Sequence, residues 1–198
     1  MVESMGWWYA FKLFKKNLKG DTSHALSPTH GSHWTLTRQG RTLDIQDQAE
    51  LAKGVLDTMG LRHFSSTILL VGHGSHSCNN LQSAGLECGA CGGQTGEINV
   101  RVLAQLLNNL KVREALKPMG YAIPDQTQFV AALHNTITDH ITCYNEVNDP
   151  TVVDWLMQAT YLAQQERAVK VDQALLNMDR EERNAAYLRR AKDWSQTR

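Results

Sequence analysis

Neither sign of charge is in excess, since 20 Lys and Arg balance 20 Asp and Glu for a formal net charge of zero. The broad positive field that draws proteins to phosphate backbones is therefore missing, and no nucleic-acid partner is expected. Long apolar runs are missing too, and nothing approaches the ~20 residues that span a bilayer. The start, Met-Val-Glu-Ser-Met-Gly-Trp-Trp-Tyr, carries neither the basic residues nor the apolar core of a secretory signal. These absences predict a cytoplasmic setting, where thiols stay reduced. Cysteine is scarce, with four in 198 residues, which points to metal or redox duty before disulfides. Internal repeats, low-complexity segments and a clear domain boundary are also lacking, so residues 1–198 read as one unit.

What is present is the composition of a folded globular protein, 42% hydrophobic and 20% charged. Near the start, Trp7, Phe11, Phe14 and Leu18 share one face of a predicted helix, with Lys12, Lys15, Lys16 and Lys19 opposite. Such a helix suits either an anionic membrane surface or a docked position with solvated lysines. Residues 20–45 read as irregular. Asp47 to Met59 reads as a helix stopped by Gly60. Ser65 to Val71 is a β-branched apolar run, the pattern of a strand buried on both faces. Ile98, Val102, Leu103, Leu106, Leu107 and Leu110 predict an amphipathic helix opened near Thr95 and ended by Pro118 and Gly120. Phe129 to Leu133 is a second buried-strand candidate, which completes a βαβ order. From Pro150 the chain reads as helical nearly to its end, with Trp155, Leu156, Ala159 and Leu162 as the apolar face. The expected fold class is α/β, a partial parallel sheet with flanking helices and a long helical C-terminal segment.

The first strand runs straight into Gly72-His-Gly-Ser-His-Ser-Cys78 and, further on, Leu86-Glu-Cys-Gly-Ala-Cys-Gly-Gly93. Imidazole and thiolate are the ligands a borderline-soft ion such as Zn²⁺ prefers. Ligands bind beyond the carboxyl ends of strands in open parallel sheets, and His73 sits at such an end. His134 and Asp139 follow the second strand, so both tails are expected at one crevice. Several readings stay open on these residues. Cys88 and Cys91 suit half of a closed structural zinc site, completed by His73, His76 or Cys78. The same pair suits a redox dithiol, although glycines surround it and the next helix begins several residues on. An open catalytic site would use some of these groups plus ligands from elsewhere, while Cys78 and Cys91 taken singly suit simple packing. The Gly72-His-Gly-Ser turn lacks the spacing of a phosphate loop. A hydrolase built on Ser75, His134 and Asp139 lacks a Gly-x-Ser-x-Gly elbow.

The run Val2-Glu-Ser-Met-Gly-Trp-Trp, the Gly72-to-Gly93 segment, His134-Asn-Thr-Ile-Thr-Asp139 and the terminal Arg190-to-Arg198 stretch together resemble the DabA family of inorganic-carbon transporter subunits. The resemblance covers essentially the whole chain. It implies a β-carbonic-anhydrase-like active site that binds Zn²⁺ through an early Cys-x-Asp-x-Arg strand and a later His and Cys. Carried over, the later ligands are His73 and Cys88, which leaves Cys91, Cys78 and His76 to support the loop. It implies CO₂ hydration by a zinc-bound hydroxide, in a complex that accumulates bicarbonate. It also implies a membrane-embedded DabB-type partner, with this chain peripheral on the cytoplasmic side of the inner membrane.

One departure qualifies all of this. No Cys-x-Asp-x-Arg occurs here, because Cys78 is the sole Cys before residue 88. Family members are several times longer, so the chain is expected to be an interior fragment, inactive alone, with the catalytic Asp and Arg outside it. The alternative is a non-enzymatic module whose Cys88 and Cys91, with a nearby His, hold a structural zinc.

Overall fold

The computed structural model describes residues 33–75, 87–88, 91 and 93–192. The helix expected over Trp7 to Leu18 lies outside them, as do His76 and Cys78. The stretch read as irregular contains a small hairpin, β1 (Thr37–Arg38) and β2 (Arg41–Thr42). Its two turn residues, Gln39 and Gly40, take φ of 52° and 79°, the left-handed pair that matches the twist of a two-residue hairpin.

Helix α1 (Ile45–Met59) begins where Asp44 and Asp47 form a reciprocal capping box, which satisfies two of the amides a helix start leaves bare. Ala49, Ala52 and Leu56 put a narrow apolar stripe into the core. Gly60, at φ 65°, returns its N–H to Leu56 and Asp57 and ends the helix where the sequence predicted.

Strand β3 (Thr67–His73) follows, then α2 (Glu97–Asn108), α3 (Leu110–Leu116) with a 3-10 turn over Lys117–Met119, and β4 (Gln128–His134). β3 and β4 pair in parallel, from Thr67 opposite Gln128 to His73 opposite His134. A third strand, β5 (Ile141–Cys143), pairs antiparallel with β4, so the sheet is mixed, in the order β3-β4-β5. β4 alone is buried throughout its middle, from Phe129 to Ala132. β3 is an edge strand among the described residues, and Val71 is 45% exposed. The expectation of burial on both faces therefore holds for β4 and not for β3.

The predicted single helix across residues 98–110 breaks at Asn109, whose side chain accepts from the Lys111 amide and starts α3. Leu110, expected on the buried face, is thereby left exposed. Phe129, Leu56, Leu107, Val112, Leu116 and Tyr121 pack into the main core between sheet and helices, each fully buried large apolar side chain contributing roughly 1.5–3 kcal/mol. Arg113 is buried beside them and donates to the carbonyls of Leu107, Pro124, Asp125 and Thr127 and to the Asn108 side chain. It ties the helix pair to the loop that enters β4. Burial holds its guanidinium below the usual arginine value.

The C-terminal third is two helices, α4 (Pro150–Val171) and α5 (Arg180–Lys192), separated by a 3-10 turn at Gln173–Asn177. α4 sits inside out relative to the sequence reading. Trp155 and Leu162, expected to pack, are 64% and 62% exposed, while Thr160, Gln164 and Ala168 face inward. A second, smaller cluster forms where α4 and α5 meet, from Ile137, Ala168, Leu175, Ala186, Tyr187 and Ala191.

Candidate metal centre

Three glycines build the carboxyl end of β3. The Gly96 amide donates to the His73 carbonyl at 2.9 Å, and the Gly74 amide donates to the His134 carbonyl at 2.7 Å. A Cβ on Gly72 would stand 2.8 Å from the Gly96 carbonyl oxygen, and one on Gly74 3.0 Å from the His134 carbonyl oxygen. Only glycine lets strand, loop and helix start approach this closely. His73 is the last residue of the strand itself, held by backbone on both sides, with its imidazole exposed.

The His73 Nε2 lies 3.7 Å from the Cys91 sulfur. Cys91 is joined to Cys88 as a disulfide, their Cα atoms 5.5 Å apart. The Cys91 amide donates to the Cys88 carbonyl, and the Gln94 amide to that of Cys91. One imidazole and two bonded sulfurs therefore meet at the strand end. Among the described residues, no group of three or more His, Cys, Asp or Glu side chains is arranged to hold a metal ion. A disulfide sulfur is also a poor donor, because the thiolate is what binds zinc. The donor types fit Zn²⁺ once the pair is reduced.

His134 stands opposite His73 on the next strand, so the two strand ends lie side by side. Its Nε2 pairs with Asp139 Oδ1 at 3.2 Å, and Arg167 from α4 reaches the same oxygen at 2.7 Å. Asp139 is buried at φ 57°, a left-handed conformation that Asp tolerates better than most residues. The inward polar stripe of α4 supports this loop along its length. Thr160 donates to the Asp139 carbonyl, Gln164 to that of Thr138, and Arg167 to those of Thr136 and Ile137. Sequence reasoning missed this stripe, although the spacing of residues 160, 164 and 167 puts all three on one helical face.

Ser75 is buried, and its hydroxyl has no hydrogen-bond partner among the described residues. The nucleophile–base contact a hydrolase would need is not made. Behind the glycines lies a buried ion pair, Glu97 with Arg101 at 2.8 Å, and the Arg101 guanidinium lies against the rings of Trp34 and Tyr144. Burial first, and Glu97 second, push the Tyr144 phenol up to about 12.

A family model described as "Probable inorganic carbon transporter subunit DabA" matches residues 1–198. A protein of that description from Marinomonas sp. (strain MWYL1) is 55% identical across 99% of this chain and 25% of its own length. Another from Hydrogenovibrio crunogenus is 48% identical across 100% of this chain and 24% of its own length. A third, from Vibrio cholerae, is 36% identical across 100% and 26%. The chain thus spans about a quarter of the length of these relatives. No solved structure matches it.

Proposed function

The chain belongs to the DabA family of probable inorganic carbon transporter subunits, and on that premise we propose that it supplies part of a zinc site in a complex that takes up CO₂ or bicarbonate. The observation that carries the proposal is the meeting of the His73 imidazole with the Cys88/Cys91 sulfurs at the carboxyl end of β3. His73 and Cys88 would hold the ion. Zinc bound there would supply Lewis acidity, the property that makes water nucleophilic toward CO₂ near neutral pH.

The chain's own residues orient those two ligands. The Gly96 amide and the Gly72–Gly96 contact fix the His73 backbone. A catalytic zinc ordinarily takes three protein ligands and keeps one position open. The remaining ligand would come from another part of the assembled protein. The outer edge of β3 is open to a further strand among the described residues, and a strand there would end beside His73.

The partner proposed is a membrane-embedded DabB-type subunit, with this chain peripheral on the cytoplasmic side of the inner membrane. Among the described residues no helix is long and apolar enough to cross a membrane, which is compatible with peripheral attachment.

The approach of Cys91 to His73 favours a second reading, a closed structural zinc that uses both cysteines. The experiment that separates the two places residues 1–198 in a full-length relative, in exchange for the matched quarter, and measures zinc per chain after reduction. His73→Ala and Cys88→Ser should each remove the metal and its oxygen-isotope exchange between CO₂ and water, while Cys91→Ser keeps both. Equal loss in Cys91→Ser would establish the structural zinc instead. Full zinc in His73→Ala would overturn both readings.

A further inference from the structure

The sulfur assigned to the metal is bonded to its neighbour in this structure. We propose that Cys88 and Cys91 form a redox modification site, at which a peroxide-class oxidant joins the two sulfurs and withdraws Cys88 from the metal. This rests on the zinc reading above and gives Cys91 a role that reading leaves open.

Geometry supports the proposal from two directions. The Cα separation of Cys88 and Cys91, 5.5 Å, lies inside the ~4.4–6.8 Å that a disulfide demands. On the other side, the joined sulfurs remain at the imidazole, with Cys91 3.7 Å from His73 Nε2. The sulfur assigned to the metal is thus the one bonded to the sulfur that meets the imidazole. The disulfide and the metal-bound thiolate exclude each other, because a sulfur in a disulfide has no thiolate to give. Both cysteines are partly exposed, so a small oxidant can reach them. Cys143, on β5, lies outside the pair, and burial holds its thiol above the ordinary value, in the less reactive protonated form.

The step balances with one oxidant. The zinc-bound Cys88 thiolate, the Cys91 thiol, one hydrogen peroxide and one proton from solvent give the disulfide, two waters and free Zn²⁺: the O–O bond breaks, the S–S bond forms, and two electrons pass from sulfur to oxygen. The thiol proton and the solvent proton leave in the water. A dithiol reductant reverses it through a mixed disulfide, returning both thiols and becoming a disulfide itself.

The test uses the same full-length chimera, reduced and zinc-loaded, exposed to hydrogen peroxide with a chromophoric chelator present. Released zinc is followed by absorbance, and the Cys88–Cys91 bond by alkylation and peptide mass spectrometry. Zinc should leave in step with disulfide formation, one ion per bond, and return with a dithiol and added zinc. Cys91→Ser, and independently Cys91→Ala, should hold zinc at peroxide doses that strip the parent, with release slowed by at least about tenfold, a barrier change of ~1.4 kcal/mol. Equal release from parent and both Cys91 variants would overturn the redox site and leave the zinc ligands standing. Disulfide formation with zinc fully retained would overturn it as well. A reduced parent without zinc, or zinc indifferent to Cys88→Ser, would refute the ligand assignment and this inference with it.

Discussion

The backbones of Gly72 and Gly96 touch, so that a Cβ on Gly96 would stand 3.1 Å from the Gly72 Cα and one on Gly72 2.8 Å from the Gly96 carbonyl oxygen. This contact joins the end of strand β3 to Gly96, the residue just before helix α2. It thereby sets the position of His73 between them.

Gly72→Ala should therefore force strand and helix apart. A methyl pressed against backbone cannot be relieved by a rotamer change, so the expected loss is about 1–3 kcal/mol in a urea unfolding experiment. Gly54→Ala is the control, because that glycine lies inside α1 with nothing near its missing Cβ. It should stabilise the protein by about 1 kcal/mol through helix propensity. Opposite signs for the two substitutions are the expected result; a neutral Gly72→Ala would contradict the close contact.

Asp139 anchors the loop beyond β4 through His134 and Arg167. Removing it leaves a guanidinium inside the structure without its carboxylate. Asp139→Ala should cost about 2–4 kcal/mol, below the full penalty of a wholly buried pair because Arg167 keeps some solvent. Asp139→Asn should cost less, since Asn tolerates the left-handed backbone and retains an acceptor. Thermal or urea unfolding of the two variants gives the ranking, and a harmless Asp139→Ala would show that the α4 side chains hold the loop without it.

The Asp57 carboxylate accepts from Lys53 and from the Tyr121 hydroxyl, and these contacts lower its pKa from 3.8 to about 2. The unfolded chain therefore binds the proton more readily than the folded one. The stability this group contributes is complete above pH 4 and disappears as pH falls from about 4 towards 2. Urea midpoints measured across that interval should fall more steeply for the parent than for Asp57→Asn. Parallel curves would mean that the Lys53 and Tyr121 contacts add nothing.

Much of the fold was legible because local physics agrees with it. The end of α1 follows from Gly60, and the two parallel strands follow from short β-branched or apolar runs around a helical stretch; the start of α1 lies two residues before the predicted Asp47, where the Asp44 capping box sets it. The helix break at Asn109 was hidden because Leu110 continues the apolar spacing across it. The inverted packing of α4 was hidden for a related reason. Trp155 and Leu162 promise burial on hydropathy alone, but the Thr138–Asp139 loop offers carbonyls that Thr160 and Gln164 can satisfy, and unsatisfied buried carbonyls cost more than exposed apolar area.

From the candidate site, the sequence by itself determined the donor types, their place at a strand end and the membership in the DabA family. His73 and Cys88 are fifteen positions apart, and nothing in that spacing says which sulfur meets the imidazole or whether the two sulfurs meet each other. Only the tertiary structure decided that, because ligand geometry depends on backbone contacts between segments distant along the chain. Gly96 against Gly72 and His134 opposite His73 bring the strand end together, and the bonded Cys88 and Cys91 meet it at the His73 imidazole.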